Sequence, residues 1–169
     1  MAFSIFAADH VDSVINELRA RESGEFEDPK FGPLRFHRSG SSLPSYWEGR
    51  YMWKSDCSLV TLRVVAPSGD DHPSRAQREF VDDLERRYSY YRASALVLLK
   101  PAFAKYVGSQ TRVKSLLEEF LLTGVTVPSM IERPVIHEFL YRCSTDPSKA
   151  FYVTFQDLWA RKIRVDENY

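Results

Sequence analysis

The chain has 169 residues, 44% of them hydrophobic and 27% charged, with 23 basic side chains balanced by 23 acidic ones. At roughly 100–200 residues per domain this reads as a single domain, residues 1–169, and its 3 Trp, 9 Tyr and 11 Phe supply too much apolar area for a disordered chain. Zero net charge removes the overall basic footprint of a nucleic-acid binder. The longest uncharged stretch, Phe120 to Ile131, is too short and too interrupted by Gly and Pro to span a bilayer.

The first ten residues carry no positive charge ahead of their apolar run, which stops at Asp9, so no secretory signal is expected and the cytoplasm is the expected compartment. Val11, Val14, Ile15 and Leu18 keep a helical period and Asp9 is a candidate cap, which predicts a helix over 9–21. Residues 22–30, charged and punctuated by Gly24 and Pro29, read as a connector. Three segments then alternate with a period of two: Phe31–Arg38, Ser45–Trp53 and Ser58–Ala66. In the second, Trp47, Tyr51 and Trp53 share one face while Tyr46, Glu48, Arg50 and Met52 share the other, as in antiparallel strands with one packed side.

Pro67 closes this run, and Asp71 or His72 is placed to cap a helix that begins at Pro73. Ala76, Phe80, Leu84, Tyr88, Tyr91 and Ala95 carry that helix to Leu99, and Pro101 should kink or end it. A shorter helix is expected over 111–122, with Gly124 just past its end. Strands return at Pro134–Ser144 and from Phe151, with one more short strand in the tail through Ile163 and Val165. The expected architecture is α+β, a mostly antiparallel sheet of about five to six strands with helices packed on one face.

No phosphate-cradling glycine loop, HExxH, GxSxG or paired CxxC occurs. His10, His37, His72 and His137 lie too far apart in sequence to form a local ligand pair, and Cys57 and Cys143 read as small buried hydrophobes in strands, so no metal and no cofactor are expected. A weaker alternative is an enzyme that pairs His137 with a carboxylate such as Glu48; a structural or oligomeric scaffold is another. In the run Arg86 to Arg92, Tyr90 lies off the apolar stripe of its helix and, with Arg87 and Arg92, supplies the residue types that dominate protein–protein contacts. The acidic strip Glu22, Glu25, Glu27 and Asp28 is a second candidate docking surface.

The segment Phe26-Glu27-Asp28-Pro29-Lys30-Phe31-Gly32-Pro33-Leu34, then Tyr46-Trp47-Glu48-Gly49, then Val60-Thr61-Leu62-Arg63-Val64, is similar to a group of small bacterial domains of unknown function. Their pattern is D-x-x-F-G-x-L, a Trp-x-Gly strand, a further strand, and a helix that opens near a Gln, here Gln77. Phe151 to Phe155 followed by Trp159 resembles the end of that group, whereas Ala160-Arg161-Lys162 departs from the acidic and glycine residues expected there. Several such domains resemble immunity proteins or other accessory proteins of bacterial toxin systems. The resemblance therefore implies a cytoplasmic, non-enzymatic protein that binds and neutralises a cognate toxin, with a protein rather than a nucleic acid or a membrane as its partner.

Overall fold

A computed structural model describes residues 24–38, 44–66, 71–108 and 115–167. Four strands come first, β1 (Glu25–Asp28), β2 (Gly32–His37), β3 (Tyr46–Trp53) and β4 (Ser58–Val65). Helices α1 (Arg75–Arg86) and α2 (Tyr88–Phe103) follow, then a wide turn over Ala104–Gly108 and the single turn α3 (Leu116–Glu119). The chain closes with β5 (Phe120–Val127), β6 (Ile136–Cys143), β7 (Lys149–Gln156) and β8 (Trp159–Glu167). The strands form one sheet in sequential order. All neighbours are antiparallel except β4 and β5, which run parallel and pair Thr61 with Gly124 and Val64 with Val127. A parallel pair needs a long crossover, and the helices supply it.

The sheet is larger than the alternation predicts: eight strands in a mixed sheet rather than five to six in a mostly antiparallel one. Three segments account for the difference. The supposed connector at 22–30 contains β1, whose Glu-Phe-Glu-Asp sequence hides a strand because charges are common on sheet edges. Of the helix expected over 111–122, the described residues show a single turn at Leu116–Glu119, and Phe120-Leu-Leu-Thr-Gly-Val-Thr-Val enters the sheet. A bulge between Leu122 and Gly124 breaks the period of two there, and Gly124 is a strand residue rather than a helix stop. The tail makes a full strand of 9 residues. The helix predicted over 9–21 lies outside the described residues.

The long helix predicted from Pro73 is divided at Arg87, and Pro101 sits inside the last turn of α2 rather than ending it early. The cap of α1 is Ser74, not Asp71 or His72. Its Oγ accepts from the Gln77 backbone N–H at 3.2 Å while Gln77 Oε1 accepts from the Ser74 N–H at 2.9 Å, a reciprocal capping box. Fully buried, Gln77 also donates through Nε2 to the carbonyls of Val65 (2.7 Å) and Pro128 (2.8 Å), which pins the start of the helix to the ends of the parallel pair.

Both long helices pack on one face of the sheet. Tyr88 meets Trp53 and Phe139, Tyr91 meets Phe139 and Phe155, and Phe103 meets Phe120. Leu34, Trp47, Val60, Leu62, Val64, Phe151 and Val153 complete the core between the layers. Gly49 marks where β2 and β3 approach too closely for a side chain: a Cβ there would lie 2.6 Å from Leu34 Cδ2 and 2.6 Å from the Pro33 carbonyl oxygen. The carbonyl is main chain and cannot step aside. Gly49→Ala is expected to cost about 1–3 kcal/mol, read as a lower urea midpoint at unchanged m; an unshifted midpoint would contradict this close approach.

Candidate functional site

The helices leave the second face of the sheet uncovered, and the register assembles that face residue by residue. One row crosses all eight strands: Glu25, Arg35, Glu48, Arg63, Thr126, Glu138, Thr154 and Lys162. The adjacent row runs Arg50, Thr61, Gly124, Leu140, Tyr152, Arg164. Each of these residues alternates with a core residue on its strand, so the same period of two that buries Val60, Leu62 and Val64 turns Thr61 and Arg63 outward.

A hollow of about 340 Å³ opens in the middle of this face, over the parallel pair. Gly124 forms its floor. A Cβ at that position would sit 3.1 Å from Leu140 Cβ and 3.6 Å from the Thr61 carbonyl oxygen, so the missing side chain is what gives the hollow its depth. Around it stand Arg50, Arg63 and Arg142, with Glu138 as the opposing carboxylate. Arg63 Nε donates to Glu48 Oε2 at 2.6 Å, and its guanidinium lies 5.5 Å from the centre of the Tyr46 ring. Arg50 Nη1 approaches Thr61 Oγ1 at 3.5 Å. Arg164 lies 3.8 Å over the Tyr152 ring and is held by Asp166 at 2.6 Å. Burial pushes the Glu138 carboxyl above the usual carboxylate range, and the Arg164 and Arg63 guanidinium groups pull it back. Three guanidinium groups stand against two carboxylates, Glu138 and the Glu48 paired with Arg63, which leaves this hollow with a small basic excess in a chain with no net charge.

The residues singled out from sequence fall in different places. Glu25 belongs to the open face and pairs with Arg35 at 3.3 Å. Glu27, on the same strand, is exposed opposite Pro33. Asp28 is not a docking residue, because its side chain is fully buried. It accepts from the backbone N–H groups of Lys30 (2.9 Å) and Phe31 (3.0 Å) and binds Arg78 Nη2 at 2.8 Å. A short turn folds this carboxylate inward to meet α1, which a run of charges in sequence does not reveal. Glu22 lies outside the described residues.

Arg87, Tyr90 and Arg92 belong to the helical layer on the far side of the sheet from the hollow. Arg87 Nε pairs with Asp83 at 3.1 Å and Arg92 donates to the Leu117 carbonyl, so both tie local structure together, while Tyr90 is 68% exposed. His137 and Glu48 sit on opposite faces. His137 is buried beneath the helices and Glu48 points outward to Arg63, so these two side chains do not pair. Cys143 is buried as expected, but Cys57 is exposed at a left-handed position (φ 54°) of the β3–β4 turn, outside both strands; both thiols are free. Among the described residues no three His, Cys, Asp or Glu side chains gather as metal ligands, and no helix is long and apolar enough to cross a membrane.

No family model matches this chain, and neither does any curated protein or solved structure. The residues on which the expected likeness to small bacterial domains rests are architectural here. Asp28 closes the β1–β2 turn, Phe31 and Leu34 are buried, Gly32 adopts φ +74°, and Gln77 pins α1.

The sequence shows the parts of the basic hollow but not the hollow itself. The alternation places Glu48 and Arg50 together, Thr61 and Arg63 together, and Glu138, Leu140 and Arg142 together. What joins them is the parallel pairing of β4 with β5, a contact between segments separated by the whole helical crossover.

Proposed function

We propose that this chain is a cytoplasmic protein-binding protein of the immunity type, and that it seats an acidic loop of its partner in the hollow of the open sheet face. The observation that carries the reading is the gathering of three guanidinium groups at one place, Arg63 among them already paired with Glu48. Arg50, Arg63 and Arg142 surround a glycine floor on the one face the helices do not cover. Guanidinium groups suit this task because their fork of N–H donors matches a carboxylate, and such pairs at an interface gain strength as water leaves. The mixed row of charges across the remaining strands sets register and rejects partners with the wrong pattern, which is how polar interfaces gain specificity. Neutralisation of a toxin by this route is occlusion and needs no chemistry in the bound state.

The test compares the wild-type chain with Arg50→Glu and Arg142→Glu, two outward positions whose substitution leaves the core intact. The tagged chain is expected to retain one stoichiometric protein from the source cell's lysate at raised salt. That protein, identified by mass spectrometry and purified, is expected to bind each variant at least tenfold more weakly, as loss of one close interfacial charge pair implies. If it also arrests growth when expressed alone and not when co-expressed with the wild-type chain, it is a toxin under this chain's control. Unchanged affinity for both variants, or a loss produced by Tyr90→Ala instead, would move the interface off the open face and overturn the proposal.

A further inference from the structure

A second hollow, of about 240 Å³, lies on the other side of the sheet, where the α1–α2 junction meets the β7–β8 turn. Its floor is His137, only 3% exposed, with neither ring nitrogen hydrogen-bonded. The imidazole stacks on Phe155 (ring centres 5.2 Å apart, 11° between planes) and meets Phe80 and Tyr91 edge to face at 5.2 Å each. Phe80, Tyr91 and Leu158 form the walls. At the rim, Asp83 is shared between Arg86 (3.3 Å) and Arg87 (3.1 Å), whereas Asp157 enters no ion pair among the described residues. A polar ring buried without partners and lining a hollow is the kind of group that a ligand completes.

We propose that this hollow binds a primary ammonium group on a short alkyl stem. The stem lies against Phe80 and Leu158, and the ammonium bridges a bare imidazole nitrogen of His137 to the Asp157 carboxylate. Each part of the cavity matches one part of that ligand. Burial keeps the imidazole neutral, so one nitrogen presents a lone pair that an N–H donor satisfies. Aromatic walls favour a cation through their ring faces, and Asp157 supplies the opposite charge. An anion placed against the His137 nitrogen would meet the Asp157 carboxylate, which enters no ion pair among the described residues, and is disfavoured. A metal ion finds no set of three ligands among the described residues.

The same ammonium chemistry is offered by a free alkylamine and by the lysine side chain of a protein. The first measurement is an NMR titration of the histidine-labelled chain with n-butylammonium, followed at the His137 ring resonances, with n-butanol and butyrate as neutral and anionic controls. A blocked lysine, acetylated at its amine end and amidated at its acid end, is titrated in parallel. Tighter binding of this compound assigns the site to a protein side chain, and tighter binding of butylammonium assigns it to a free amine. Saturable shifts are expected with the ammonium compounds alone.

Asp157→Asn is expected to weaken them about fivefold, the loss of one partly exposed charge pair. Asparagine tolerates the left-handed conformation of residue 157 (φ 54°), so the variant should keep the urea midpoint of the wild type. Equal shifts with n-butanol, no saturable shift with any probe, or an unchanged affinity in Asp157→Asn would each overturn the proposal. None of these results depends on what the open face binds.

Discussion

Asp28→Ala should destabilise the fold by about 3–5 kcal/mol, the scale expected when one partner of a buried ion pair is removed and the other is stranded. The carboxylate of Asp28 has no solvent exposure. Its Oδ1 accepts from the N–H groups of Lys30 and Phe31 and so closes the turn from β1 into β2. Arg78 approaches with Nε at 3.1 Å and Nη2 at 2.8 Å, both on Oδ2, which fastens that turn to α1. Lys30 adds a second link, donating to the Arg78 carbonyl at 2.7 Å and pairing with Asp82. Truncation leaves two backbone donors and a largely covered guanidinium without their acceptor.

Two further variants separate these contributions. Asp28→Asn retains an acceptor for the turn and should lose only part of the stability. Arg78→Met placed in the Asp28→Ala background should recover some of it, because no charge is then stranded. Urea denaturation with m held constant reads all three. A loss below about 1 kcal/mol for Asp28→Ala would mean that this carboxylate is solvated, and the β1–α1 fastening described here would be wrong.

The same residue shows where reading the sequence stops. Segments whose side chains alternate strictly are legible to within about two residues at each end, a margin typical of element boundaries. Ser58–Ala66 is expected and Ser58–Val65 is found; Pro134–Ser144 is expected and Ile136–Cys143 is found. The packed and open sides of β3, β4 and β6 are also legible, down to which side His137 and Glu138 take. Other features need tertiary contacts. Leu116, Leu117 and Phe120 fit a helical period until the bulge at Leu122/Gly124 lets the segment join the sheet beside β4. Asp28 stands in a charged strip and reads as solvated, because nothing local shows that Arg78, fifty positions later, lies above it. The basic hollow has the same character: Arg50 and Arg63 share the β3–β4 hairpin, but Arg142 on β6 reaches them only because β5 pairs in parallel with β4.

The second large effect is a dependence of stability on pH through His137. Burial holds its ring well below the ordinary histidine value, at about 4 against 6.5. Above pH 6.5 the ring is neutral in both the folded and the unfolded chain and exacts no penalty. As pH falls through 6.5 the unfolded chain takes up a proton that the folded ring refuses until about pH 4, so the unfolded state binds more protons across that window and stability drops. A difference of this size corresponds to about 3 kcal/mol, present in full only below pH 4 and absent at pH 7.

His137→Phe should flatten the slope between pH 6.5 and 4 relative to wild type, since the new ring does not titrate. It should also raise stability at pH 7 by about 1–2 kcal/mol, because the two unpartnered ring nitrogens are gone and the adjoining hollow accommodates the larger ring. Carboxylates that titrate near pH 4 act on both proteins, so the difference between the two curves isolates the histidine. Parallel curves from pH 7 to pH 4 would show that the imidazole is reached by water in the folded state. A steeper decline in His137→Phe than in wild type would show that the protonated ring is stabilised there by Asp83 or Asp157, the carboxylates at the rim of its hollow.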